Sequence, residues 1–191
     1  VERRTATLAA TLRAVGLDTR AGGKSEVDAD SSERVAAVWG CGRIMADVVG
    51  TMPWDVTLSR GEPVAAPPLI SSPDGGGAIE WKRRGMWSKL LRGNAYGFVT
   101  ETTPDGRYPN RIDLLSNDAA VWRKLRDGRK IATVGDQEFS RWPQGPLWHV
   151  TAYERSGDPE GMSPIEYARS TIAPAIYAAD FSEDFFETDC H

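Results

Sequence analysis

The sequence predicts an α+β fold, with helices packed on short antiparallel strands and hairpins and a long helix at the C-terminal end. Three observations predict it. Apolar residues recur at helical spacing over residues 35–49 and 79–91. Turn residues, Pro104-Asp105-Gly106 and Asp127-Gly128, separate extended apolar runs in the second half. Helices and strands come in blocks rather than in strict alternation, which separates this class from a parallel α/β sheet. A chain of 191 residues, 40% apolar and 26% charged, is also long enough to bury a sizeable core.

The elements follow in order. Residues 1–31 read as a flexible N-terminal arm, with a short helix in TATLAATLRAVGL and then the polar stretch AGGKSEVDADSS. The apolar part resembles a secretory segment only loosely. Arg13 interrupts it, and Asp18 and Arg20 follow without a cleavage site, so synthesis without export is expected. Ser31 or Ser32 is expected to cap the next helix. Its stripe of Val35, Val38, Trp39, Ile44, Met45, Val48 and Val49 is expected to face the core, and Pro53 ends it. Trp54, Val56 and Leu58 then alternate with polar residues as a half-buried strand does.

APPLISSPDGGG reads as a flexible loop leading into a helix from about Ala78 to Arg92. Ile79, Met86, Trp87, Leu90 and Leu91 give that helix its apolar side. Lys82, Arg83, Arg84, Lys89 and Arg92 read as its solvated face. Gly93 or Asn94 is expected to take the left-handed conformation that stops it. A hairpin of residues 95–102 and 108–115 comes next, then strands over 120–126, 129–134 and 147–153. The loop ERSGDPEGMSP opens a final helix from about Ser163 to the end, in which Pro174 is expected to kink the axis or remove one hydrogen bond. The organisation is an arm (1–31), an α+β domain (32–162) and a helical segment (163–191).

Side-chain chemistry is sparse. The formal charge of −4 counts against a module that grips nucleic acid through phosphates. No apolar run approaches the roughly 18 residues of a membrane span. Cys41 and Cys190 specify neither a disulfide framework nor a zinc site and read as free thiols. His149, inside LWHVTAY, reads as a satisfied sheet histidine before it reads as a general base. The glycines of PDGGGAIEWK precede a helix but lack the spacing of a phosphate loop. Asp180, Glu183, Asp184 and Glu187 share one helix face and read as a solvated or partner-facing stripe, because no second element supplies converging ligands. Trp39, Trp54 and Trp87 fall on apolar periodicities, which makes them core or interface anchors before a stacking platform. No catalytic, cofactor-binding or metal-ligating residue is assigned.

Three motifs in order carry a resemblance. RVAAVWGCGRIMADVVGTMPWDVTLSRG resembles the opening helix and strand of tailed-phage portal proteins of the HK97 type. LLRGNAYGFV resembles that family's helix ending in a near-identical GNAY corner, and GDPEGMSPIEYARSTIAPAIYAADFSEDFF resembles its turn into a long helix with paired aromatics. LWHVTAY occupies the place of the strand before that turn. The resemblance implies a wing-like α+β unit and a structural, non-enzymatic role in the ring through which DNA is packaged and ejected. It implies other portal subunits, terminase, major capsid protein and a head–tail adaptor as partners, with double-stranded DNA passing non-specifically and no membrane. It places the protein in the bacterial cytoplasm during assembly and at the virion portal vertex afterwards. It also implies that the stem, clip and crown are absent, as in a truncated prophage copy, a split gene or a deliberate fragment, and that Tyr177, Phe181, Phe185 and Phe186 lack their packing partners. Two rivals make different expectations. An aromatic-rich glycan- or peptide-binding module needs an exposed tryptophan platform, and a small hydrolase needs His149 in a cleft beside a carboxylate.

Overall fold

A computed structural model describes residues 27–116, 119–125, 130–158 and 160–188. The arm at residues 1–26, the Asp127-Gly128 turn and Cys190 lie outside the described residues. The described residues open with a short helix that the sequence reading did not give, α1 (Ala29–Glu33), capped by Asp28; the helix expected to start at Ser31 or Ser32 has Val35 as its N-cap, without a side-chain cap bond. The Asp28 carboxylate accepts from the Ser31 N–H at 2.7 Å, and the Ser31 hydroxyl accepts from the Asp28 N–H at 3.0 Å. This reciprocal arrangement satisfies two amides that a helix start leaves unpaired. Val27 is buried, so residues 27–31, given to the arm by the sequence reading, belong to the folded part.

Helix α2 (Ala36–Thr51) corrects the expected stripe. It buries Gly42, Ala46 and Gly50, one small residue per turn, whereas Trp39, Ile44, Met45 and Val48 are exposed. A side chain at Gly42 would run into the Trp87 ring, and one at Gly50 would meet the Arg83 side chain at 2.6 Å. Small residues win this face because they let α2 lie close to α4 (Ala78–Arg92), and the larger apolar residues are turned outward. The expected half-buried strand shrinks to β1 (Val56–Thr57), paired only with β2 (Pro63–Val64), and Trp54 and Leu58 are exposed.

APPLISSPDGGG is not a flexible linker. Residues Pro68–Ser71 form a one-turn helix, α3, with proline in its first turn, where no amide is needed. Pro73 is fully buried and accepts from the Ile112 N–H at 2.7 Å, and Asp74 accepts from the Gly76 N–H at 2.9 Å. Strands β3 (Asn94–Thr102), β4 (Pro109–Leu115) and β8 (Leu147–Thr151) form an antiparallel sheet in the order β4-β3-β8. A second sheet has β5 (Ala120–Lys124), β6 (Lys130–Val134) and β7 (Gln137–Ser140) in sequence order. β7 was missing from the sequence reading, since QEFS is too short and polar to signal a strand.

Two cores result. Tyr96 and Leu147 of the first sheet meet Ala120, Trp122 and Ala132 of the second, with Phe98 and Phe139 at the margin. The other core is helical: Val27, Leu91, Ile165, Ile172 and Ile176 pack together, flanked by Val35, Val38 and Trp87. The expected long C-terminal helix is divided into α5 (Pro164–Tyr167), capped by Ser163, and α6 (Arg169–Thr188). Helix α6 runs unbroken through Pro174, which removes only the amide that would donate to the Ser170 carbonyl. Tyr177, Phe181, Phe185 and Phe186 are exposed along it.

Candidate functional site

The motif pair that carried the resemblance converges on one place. Gly93 ends α4 with φ of 74°, the left-handed stop expected for Gly93 or Asn94. Its carbonyl accepts from the Ala152 N–H at 2.7 Å, and a Cβ on it would overlap the carbonyls of Met162 and Gly161. Gly161 belongs to β10 (Gly161–Met162), which pairs with β9 (Tyr153–Glu154), and a Cβ on it would overlap the Gly93 carbonyl just as closely. The GNAY corner and the GMSP turn therefore touch backbone to backbone. Only glycine fits at either contact.

Asn94 locks the two together. Its side-chain amide donates to the carbonyls of Arg92 at 2.9 Å and Gly161 at 3.1 Å, while its oxygen accepts from the Gly161 N–H at 2.7 Å. Because that oxygen is fixed as an acceptor, the His149 Nε2 lying 2.9 Å away must carry the proton and donate. Ser163 adds a third tie by donating to the Leu91 carbonyl at 2.7 Å while capping α5. These bonds hold the side chains of Asn94 and Ser163 and the Nε2 of His149 within the fold, which suits a rigid joint.

His149 sits in its strand, 3% exposed, packed against the rings of Tyr96 at 4.5 Å and Trp122 at 4.8 Å. Its Nε2 meets the Asn94 amide and the ring is buried, which is not the exposed histidine in a cleft that the hydrolase reading needs. Burial, and then the nearby Glu160 charge, push the Tyr96 phenol well above its ordinary range.

The basic face of α4 is the largest correction. Lys82 is buried, donates to the Met52 carbonyl at 2.7 Å and lies over the Trp54 ring at 4.8 Å. Arg83 bridges Asp47 of α2 at 2.8 Å and Glu80 at 2.8 Å. Arg84 pairs with Asp74, and Arg92 reaches Asp30 of α1 at 2.8 Å. Lys82 is withdrawn from water, whereas Arg83, Arg84 and Arg92 keep part of their surface in solvent while tying α4 to its neighbours. For Asp74, burial pushes the carboxyl up, but the Gly76 N–H and Arg84 outweigh it and hold the carboxyl below its ordinary range.

The acidic stripe of α6 does meet a second element, and what it meets is a cation. Arg34 lies 3.9 Å from Asp180 and 3.6 Å from Glu183. Among the described residues no three His, Cys, Asp or Glu side chains gather as metal ligands, and no helix is long and apolar enough to cross a membrane. The tryptophans are engaged in packing: Trp39 meets Trp87 edge-on at 5.0 Å, Trp81 donates to the Ile112 carbonyl at 2.8 Å and faces Trp148 at 5.5 Å, and Trp54 lies under Lys82. The sequence reading missed Arg34 and Lys82 as ties, since their partners lie far along the chain.

A closed polar joint between two cores, with its cations engaged in packing, defines a structural α+β module. The chain belongs to the phage portal protein family, whose model matches residues 36–191. A probable portal protein of Streptomyces phage phiC31 is 27% identical over 168 residues, covering 80% of this chain and 36% of that protein. The HK97 family phage portal protein from Corynebacterium diphtheriae superposes with a TM-score of 0.60 at 12% identity, over 86% of this chain and 52% of that one. A chain of the native gene transfer agent virion gives a TM-score of 0.62 at 21% identity, over 95% and 51%. The chain spans about half the length of these solved structures and 36% of the curated relative. The mixed architecture of helices, small antiparallel sheets and a terminal long helix is that of portal proteins.

Proposed function

We propose that this chain is the wing portion of a portal subunit, a structural and non-enzymatic part of the ring through which DNA is packaged and ejected. The family match across residues 36–191 is the observation that carries this reading. In the same reading the α+β unit over 32–162 is the wing, and the segment from Ser163 is the helix that leads out of it. Further copies of the chain are its first partners. That is supported by a fold shared, at a TM-score of 0.63, with the neck of a native gene transfer agent particle computed with C12 symmetry. Terminase, major capsid protein and a head–tail adaptor complete the partner set, in the bacterial cytoplasm during assembly and at the portal vertex of the virion. Double-stranded DNA passes without being gripped, in keeping with a net charge of −4 and with cations of α4 engaged by Met52, Asp47, Asp74 and Asp30. Immunogold labelling of particles from a lysate of the producing strain tests it. Label at a single vertex of DNA-filled heads is expected; heads that hold capsid protein but lack this chain would overturn the reading.

A further inference from the structure

Helix α2 is apolar on both sides. Its small residues pack on α4, and its outer side presents Ala37, Cys41, Ile44, Met45, Val48 and Met52 to solvent without a charge among them. Ile44 is 60% exposed and Val48 55%. The charges of α2, Arg43 and Asp47, keep to one flank at i,i+4 spacing, with Asp47 paired to Arg83, so the outer face is an uninterrupted apolar strip of the kind that is built to be covered. A second such surface lies on α6, where Tyr177, Phe181 and Phe185 recur at every fourth residue, with the last two rings 6.3 Å apart and Phe181 71% exposed. The acidic stripe runs beside this ridge rather than under it, with Asp180 and Glu183 turned toward Arg34.

We propose that the outer face of α2 in one copy receives the Tyr177–Phe181–Phe185 ridge of α6 from the next copy. This rests on the portal reading, because a ring is closed by heterologous contacts, in which each copy offers two different faces; one face meeting itself stops at a dimer. The shapes suit such a pair. On α2 the rows Ala37–Cys41–Met45 and Ile44–Val48, the latter continued by Met52 just past the helix end, each step by four, and neighbouring rows of that spacing bound a groove. On α6 a single row of rings steps by four, and a ridge of that spacing seats in a groove of the same spacing with the axes crossing at about −50°. The three rings expose on the order of 300 Å². With a matching area on α2 they form an apolar centre that a polar rim extends toward the roughly 1,200 Å² at the lower end of specific interfaces.

The test uses the full chain carrying Cys190→Ser, so that Cys41, exposed on the receiving face, is the reporting thiol. Mass by sedimentation and the rate of Cys41 alkylation are followed against concentration for this chain and for Val48→Asp and Phe181→Lys, whose folding is checked by circular dichroism. The parent chain is expected to grow beyond a dimer, and by mass action its alkylation slows about tenfold once nine-tenths is associated. Each variant alone stays monomeric with a rapidly alkylated thiol. An equal mixture of the two forms dimers and stops, because one intact α2 face and one intact α6 ridge remain. Three results overturn the proposal: a parent that is monomeric, including one whose Cys41 is protected by its own chain; a variant that associates like the parent; or a mixture that stays monomeric. The portal reading is judged separately, by labelled particles. A ring in which Cys41 alkylates freely would leave that reading standing and sink this interface.

Discussion

At the scale of single residues, the corner divides two jobs that the sequence left to Gly93 or Asn94 alike. Gly93 takes the left-handed conformation, while Asn94 is already extended and acts through its side chain. Substituting Gly93→Val forces a β-branched residue to φ of 74° and drives its Cβ into the Met162 carbonyl, so a loss well above 1 kcal/mol, about 3 kcal/mol, is expected. Asn94→Val acts differently. It strands the buried Gly161 N–H and removes the acceptor of His149, and an unsatisfied buried donor costs about 1–3 kcal/mol. Urea melts of both variants check this; if neither midpoint moves, the reversal is held some other way.

At the scale of elements, what was legible depended on how far away the deciding partner lay. Helix α4 and the hairpin β3–β4 were readable nearly to the residue, because Gly93 and Pro104-Asp105-Gly106 punctuate them locally. The inward side of α2 was misread because the helix carries apolar residues on two faces and so has no single stripe, and close approach selected Gly42, Ala46 and Gly50. The cations of α4 read as solvated because Asp47, Asp74 and the Met52 carbonyl come from other elements. The joint itself was legible only as a resemblance of motifs, with no signal that Asn94 reaches across to Gly161. Helix α1 supports a pH prediction. The Ser31 N–H, followed by the Ser31 hydroxyl, holds the Asp28 carboxyl below its ordinary range. A carboxyl lowered in the folded state stabilises above its unfolded pKa of about 3.9 and loses that contribution as pH falls through the folded value. Thermal midpoints measured from pH 5 down to pH 2 are therefore expected to fall less steeply in Asp28→Asn than in the parent chain, and parallel curves would refute it. On α6, Asp180→Asn and Glu183→Gln remove only partly exposed pairs with Arg34. The expected loss is at most about 1 kcal/mol in the same melts, and a collapse of the fold in either would show that the stripe is structural.

At the scale of the whole molecule, α4 enters the helical core and also lies against the first sheet, and the corner adds a second joint between the two sides. Leu91 of α4 is in the helical core, while Trp81 of the same helix bonds to β4 and faces Trp148 at 5.5 Å. Helices α5 and α6 connect to the sheets through β10, whose Gly161 seats on Gly93 and Asn94, and through Ser163, which holds the end of α4. Loosening that seat should release α5 and α6 while α4 and both sheets stay folded, since the sheet core of Tyr96, Trp122, Ala132 and Leu147 contains no residue from either helix. Gly161→Val is the variant to use, because a side chain there meets the Gly93 carbonyl and the Ala152 amide. Native-state hydrogen exchange reads the outcome amide by amide. In the parent chain, amides near Ile172 and Ile176 and those of β6 are expected to open together, in one global event. In Gly161→Val the α6 amides should exchange through a separate opening at least about tenfold more populated, a shift of about 1.4 kcal/mol, with β6 unchanged. A parallel fall in both regions would mean that the cores are one cooperative unit through α4 alone, and that the corner orients the last helix without anchoring it.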